Sequence, residues 1–292
     1  MANSIALFKN YVSKLDEVYK LASLTAVLDG ASDLAKQGAN ANELIIPKLD
    51  MAGLGSYNRN SGYVAGDVTL TNETVKCNFD RGRMFTVDNL DNAESAGIAF
   101  GRLAGEFIRT KVVPELDAFR LAQYAQIPGI STVDAAALTT GAAVIAALNA
   151  AKGTMLEDEV DLSTCYLFMT PTLKLLIDDL DTTKSKKAIE GFAGLIQIPQ
   201  SRFYTAITQY DGTTSGQTNG GFIKNATSGK DINFMILDKN AVIQFQKHVA
   251  PKVITPELNQ DADAWKFGYR NVGIADAYEN KVAGIYLHKS TV

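Results

Sequence analysis

Between residues 92 and 126 apolar side chains recur at three- and four-residue steps, a period that a long helix satisfies. Ala96, Phe100, Leu103 and Phe107, then Leu116, Phe119 and Ala122, make one stripe, while Arg102 and Glu106 form an i,i+4 pair on another face. The run far exceeds the globular mean of about 11 residues, so the rest of the chain must be arranged along it. Pro114 lies inside the run and has no N–H to give, so it is expected to kink the helix or end it one residue earlier. Pro128-Gly129 terminates it.

On either side the period changes. Residues 8–28 read as an amphipathic helix with Phe8, Tyr11, Val12, Leu15, Val18, Tyr19 and Ala22 on one face, stopped at Asp29-Gly30. Small polar residues then lead to a short apolar strand at 44–46, ended by Pro47. A terminal helix with so little core of its own reads as an arm that needs a partner. Residues 53–66 have the glycine-rich composition of a loop, and residues 67–88 alternate apolar with polar. With turns placed at 71–73 and 80–83, this segment is expected to be a long β-hairpin on a flexible base. An isolated hairpin is marginal in water, so it should lie on something else.

Further on, the pattern predicts helices at 139–151, 172–180, 184–193 and 239–248. Strands are expected at 164–169, 195–198, 203–207, 232–237 and 252–255, with closing strands between 265 and 289 around a turn at 279–281. Residues 211–230, rich in glycine and without apolar period, are expected to be an exposed loop holding no ligand. Helices and strands mix without regular βαβ repetition, which makes the fold class α+β.

Composition narrows function mainly by exclusion. A chain of 292 residues supports about two compact regions. Its 46% hydrophobic and 21% charged residues are ordinary for a soluble globular protein. No apolar run approaches the roughly 20 residues that span a bilayer, and no signal peptide is visible, so the chain reads as intracellular. A net charge of −4 argues against a protein whose main task is gripping nucleic acid, although a weakly acidic protein can still enclose DNA. Cys77 and Cys165 lack disulfide or zinc spacing and read as small buried residues. His248, placed near a helix end, and His288, in the last strand, are the two histidines, and neither stands near a nucleophile motif. The acidic clusters at 157–161 and 178–181 read as solvated turns, and Gly216, Gly220 and Gly221 lack the ending of a phosphate loop. The period-two spacing of Trp265, Phe267 and Tyr269 suits core strands better than a base-stacking platform. No catalytic residue, cofactor or metal ligand is expected.

The order of these elements resembles the tailed-bacteriophage major capsid fold of the Hong Kong 97 type. Residues 112–120 (Val-Val-Pro-Glu-Leu-Asp-Ala-Phe-Arg) are similar to the segment inside that family's spine helix. Tyr57-Asn58-Arg59-Asn60 with Gly62-Tyr63-Val64, then Asp80-Arg81-Gly82-Arg83, resemble its extended-loop signatures. Residues 265–270 and 280–286 are similar to its closing strands. The resemblance implies an N-terminal arm (1–46), an extended β-hairpin loop (47–90) and a spine helix (91–129) of the peripheral domain. It further implies an axial domain (130–260) and closing strands of the peripheral domain (261–292). By the same resemblance the chain is a structural shell protein and not an enzyme, assembling with itself as pentamers and hexamers into an icosahedral virion capsid around double-stranded DNA. Assembly would take place in the host bacterial cytoplasm, without a membrane, and with a separate scaffolding protein and a portal as partners. The neighbour contacts expected are Tyr11, Leu15 and Tyr19 in the arm, with Tyr57, Arg59, Tyr63, Arg81 and Arg83 in the loop. An encapsulin-type compartment enclosing protein cargo is the alternative.

Overall fold

The computed structural model describes residues 23–30, 36–37, 43–94, 98–135, 138–180 and 183–291. From Ile98 to Ala125 its long helical run is continuous but not uniform. After α1 (Asn89–Glu94), α2 (Ile98–Phe107) widens into a π turn (Ile108–Val112) and proceeds as α3 (Val113–Ala125). Pro114 therefore does not end the helix: it occupies the first turn of α3, where its missing N–H matters least. The wider turn lets the Val113 N–H reach back to the Ile108 carbonyl, and the Thr110 hydroxyl donates to the Glu106 carbonyl at 2.6 Å. Leu116, Phe119 and Ala122 of the expected stripe are buried.

The early strands correct the expected hairpin. It is β2 (Glu43–Met51) that pairs with β3 (Val68–Lys76), antiparallel from Glu43–Lys76 to Met51–Val68, and β1 (Lys36–Gln37) adds to its root. The glycine-rich segment is the tip of this hairpin and not its base. β4 (Phe79–Asp88) leaves it for another sheet. The turns expected at 71–73 and 80–83 are strand, because these strands are solvated and polar residues there do not signal a break. Pro47 does not end its strand either. It pairs with Asn72 at a point where no further strand lies beside it among the described residues, so its missing donor costs no ladder bond.

Two sheets enclose the spine helix. The first is three-stranded, with order β11 (Val242–Ile254), β12 (Ala264–Ala277), β4, all antiparallel. The second is five-stranded. It runs β5 (Ser131–Ala135), β13 (Ile285–Ser290), β10 (Ile232–Asp238), β6 (Cys165–Met169), β7 (Gly194–Gln197), with parallel pairs at β5–β13 and β6–β7. Strand alternation explains its two buried faces. Phe168, Met235, Leu237, Ile285 and Leu287 join the core built on the spine helix. Leu167, Phe234, Ile236 and Tyr286 face the core of α4 (Gly141–Glu157), α5 (Pro171–Asp178) and α6 (Thr183–Ile189). Thr140 caps α4 by accepting from the Ala143 N–H, and Gly141 is required there: a Cβ would fall 2.1 Å from the Leu176 carbonyl oxygen.

Several other expectations fail locally. Residues 242–248 are strand and not helix, because β11 pairs with β12 along its whole length and this pairing overrides local propensity. His248 accordingly sits at a register irregularity in β11 and not at a helix end. The strand expected at 203–207 shrinks to a bridge at Tyr204 and β8 (Ile207–Gln209), which pairs with β9 (Phe222–Lys224) inside the segment read as a structureless loop. β12 and β13 belong to different sheets. Cys165 is buried, whereas Cys77 is half-buried.

The expected arm helix lies mostly outside the described residues. Its end, residues 23–30, is a bend with a short 3-10 turn (Ala26–Leu28), docked on the body. Asp117 of α3, fully buried, accepts from the Ser23 hydroxyl (2.8 Å), the Leu24 N–H (3.1 Å) and the Thr25 hydroxyl (2.7 Å). Arg120 donates to Thr25 Oγ1 (3.0 Å) and pairs with Asp29 (3.3 Å). From β11, Gln244 Nε2 donates to the Thr25 carbonyl (2.7 Å) and to Asp29 (2.8 Å), and its Oε1 accepts from Tyr124 (2.8 Å). Leu28 is fully buried below them.

Candidate assembly surfaces

Among the described residues, the β2–β3 hairpin packs on the body at its root, where Val75 meets Ile243 and Ile274. Beyond that root, residues 51–72 are exposed apart from Gly62, which is half-buried. Met51, Leu54, Tyr57, Tyr63, Val64, Val68 and Leu70 are all exposed, an apolar concentration of the kind that marks a contact surface. The tip is nevertheless built. Asn58 and Gly62 exchange backbone bonds (3.2 and 2.7 Å), Asn58 Oδ1 accepts from the Asn60 N–H (2.8 Å), and Gly62 takes φ +80°. This turn brings Tyr57 and Tyr63 together edge to face at 4.9 Å.

A cleft of about 650 Å³ opens between the β4–β12 face, the spine helix and residues 210–222. Its walls include Phe85, Leu103, Phe107, Phe222 and Tyr269. Arg81 Nε donates to Glu115 Oε1 at 2.8 Å, and its Nη2 donates to the Tyr210 carbonyl at 2.7 Å. Glu115 also accepts from Gln209 Nε2 (3.1 Å), and Arg83 Nη2 donates to the Thr218 carbonyl (3.0 Å). These bonds hold the 210–222 segment against the helix, so the segment read as an exposed loop is also one wall of a cleft.

The residues expected to touch neighbours therefore separate. Tyr57, Arg59 and Tyr63 share the exposed tip, whereas Arg81 and Arg83 sit on β4 and bond within the chain. Tyr11, Leu15 and Tyr19 lie outside the described residues. Sequence reading missed the Asp117–Arg120–Gln244 cluster, although one signal was present: Asp117 and Arg120 share a helix face with Val113 and Tyr124, where apolar residues belong.

Titratable groups show structural settings. His288 is buried, stacked on Phe234 at 4.8 Å and hydrogen-bonded to Asn233 at 3.1 Å, and burial lowers its pKa. Burial pushes the Cys165 thiol up to about 12. Among the described residues no group of three or more His, Cys, Asp or Glu is placed to hold a metal, and no helix is long and apolar enough to cross a membrane.

No sequence family and no curated protein matches the chain. Solved structures do. A Gordonia phage Cozz structure superposes with TM-score 0.59 at 13% identity, covering 92% of this chain and 87% of that one. The capsid of Myoviridae phage XM1 gives 0.55 at 12% identity, covering 92% of each. A virus-like particle from Pyrococcus furiosus gives 0.55 at 10% identity, covering 95% of this chain and 99% of that one. At these identities the likeness is one of fold: a mixed α/β fold shared with phage capsid structures.

Proposed function

We propose that the chain is the major capsid subunit of a tailed bacteriophage, assembling with copies of itself into an icosahedral shell around double-stranded DNA. The observation that carries this reading is the hairpin: a long projection whose tip exposes apolar side chains, on a fold that phage capsid structures share over about nine-tenths of the chain. Such a projection is costly in isolation and natural where neighbours cover it. In Hong Kong 97 terms, the hairpin is the extended loop. The spine helix with β4, β11 and β12 is the peripheral domain, and the five-stranded sheet with α4, α5 and α6 is the axial domain. The subunit is a structural component of the virion. It acts without catalysis and encloses DNA without reading its sequence, in keeping with its net charge of −4. A separate scaffolding protein and a portal would complete assembly in the bacterial host.

The likeness to the Pyrococcus furiosus particle favours a second reading, an encapsulin-type shell around protein cargo. One experiment addresses both. Electron microscopy of the protein expressed with its neighbouring genes should show closed particles, and their contents should be DNA. Protein cargo would select the second reading, and soluble single subunits under every assembly condition would refute both.

A further inference from the structure

Residues 210–222 are a small unit in their own right. The Asp211 carboxylate accepts from the Thr213 and Thr214 N–H groups at 2.8 and 2.9 Å. The Gln217 N–H donates to the Thr214 carbonyl at 2.8 Å, and the Gly220 N–H to the Gln217 carbonyl at 2.9 Å. At its neck the Tyr210 N–H donates to the Gly221 carbonyl at 2.8 Å. The unit is carried by β8 and β9, a two-stranded ladder that, among the described residues, extends neither large sheet. Such ribbons are marginal by themselves, so the position of the unit depends on what fastens it.

The two ends are fastened unequally. At the neck, Arg81 donates to the Tyr210 carbonyl and shares Glu115 with Gln209 of β8. The Glu115 and Arg81 side chains there are only 12% and 29% exposed, so their bonds are shielded from water. At the far end Arg83 reaches over from β4, and its Nη2 donates to the Thr218 carbonyl at 3.0 Å. Gly212 and Gly220 make room for it: a Cβ on either would come within 2.9 or 3.2 Å of Arg83 Nη1. Both take positive φ, +79° and +66°, which glycine adopts without strain. The guanidinium thus sits between the outgoing and returning limbs of the unit. Arg83 is exposed, and water competes for its single bond to the unit. Beneath lies the open cleft of about 650 Å³, walled by Phe85, Phe107 and Tyr269, so raising the far end unpacks little.

We infer that residues 210–222 are a hinged strap over this cleft, turning on β8–β9 as one body and held down by Arg83. Fastened, the strap covers the aromatic wall; released, it bares it. Access to that wall is thereby set inside the subunit, by an element drawn from the weakly held part of the fold. The inference does not rest on the shell reading, and its test uses the full chain as single subunits under non-assembling conditions. Arg83→Ala is compared with the parent by hydroxyl-radical labelling of Phe85, Phe107 and Tyr269 and by amide hydrogen exchange. Labelling of these rings should rise about fivefold, the population gain from losing one hydrogen bond of ordinary strength. The amides of Thr214, Gln217 and Gly220, bonded within the strap, should exchange as in the parent, and the melting temperature should not move. Unchanged ring labelling would show that Arg83 fastens nothing. Ring labelling gained together with fast exchange at Thr214, Gln217 and Gly220 would mean that the segment melts and does not swing. A lowered melting temperature with faster exchange along β4 and β12 would make Arg83 a support of the sheet. Each of these three results would overturn the strap.

Discussion

Asp117 and Asp80 are both carboxylates facing an arginine, and burial makes them energetically unlike. Asp80 and Arg270 meet bidentately at 2.9 and 2.6 Å with both side chains about half exposed, so water competes for each bond. Asp117 is fully buried and satisfies the Ser23–Thr25 segment, with Arg202 3.5 Å away. Asp117→Ala should therefore lower unfolding free energy by about 3–5 kcal/mol, measured by urea titration, because the polar groups around it stay buried without their acceptor. His288 supplies a pH test. The unfolded chain takes up a proton near pH 6.5, and the folded chain only at lower pH, because burial depresses the native pKa. Below pH 6.5 the unfolded state thus binds more protons, and stability should fall as pH drops toward the native pKa. His288→Gln should flatten that part of the curve of urea midpoint against pH.

Gly82 shows how an element can depend on one absent atom. It lies in β4 opposite Arg270, and a Cβ there would approach the Tyr269 carbonyl oxygen to 2.9 Å. Gly82→Ala should cost about 1–3 kcal/mol by denaturant titration and speed amide exchange along β4 and β12. The same glycine misled the reading of the sequence. Flanked by Asp80, Arg81 and Arg83 it looks like a turn, and only the pairing with β12, remote in the chain, makes it strand. Where contacts are local the sequence was legible: the spine stripe and the presence of β6 and β10 as strands follow from near neighbours. Where a distant strand decides, as for β11, it was not. The hairpin tip lay between these cases. Its residues were recognised, but placing it at the tip required knowing that β2, and not β4, partners β3.

At the scale of the whole molecule the described residues join the hairpin to the body through a small cluster of Val75, Ile243 and Ile274. Replacing residues 52–67 with a two-residue Asn-Gly turn should leave the thermal unfolding midpoint unchanged and abolish closed particles by electron microscopy. Particles of normal form would mean that the tip is ornamental. The segment 23–30 is the opposite case, tied to the body through Asp117, Arg120 and Gln244, residues 92 to 219 positions away. That separation sets an order of events. Residues 23–30 leave the ribosome long before Gln244, yet the strand bearing Gln244 must be synthesised and paired before their site is complete. Contacts so distant in sequence form late. Residues 23–30 are therefore among the last to find their place, and a subunit in which they have docked has already paired the strand bearing Gln244.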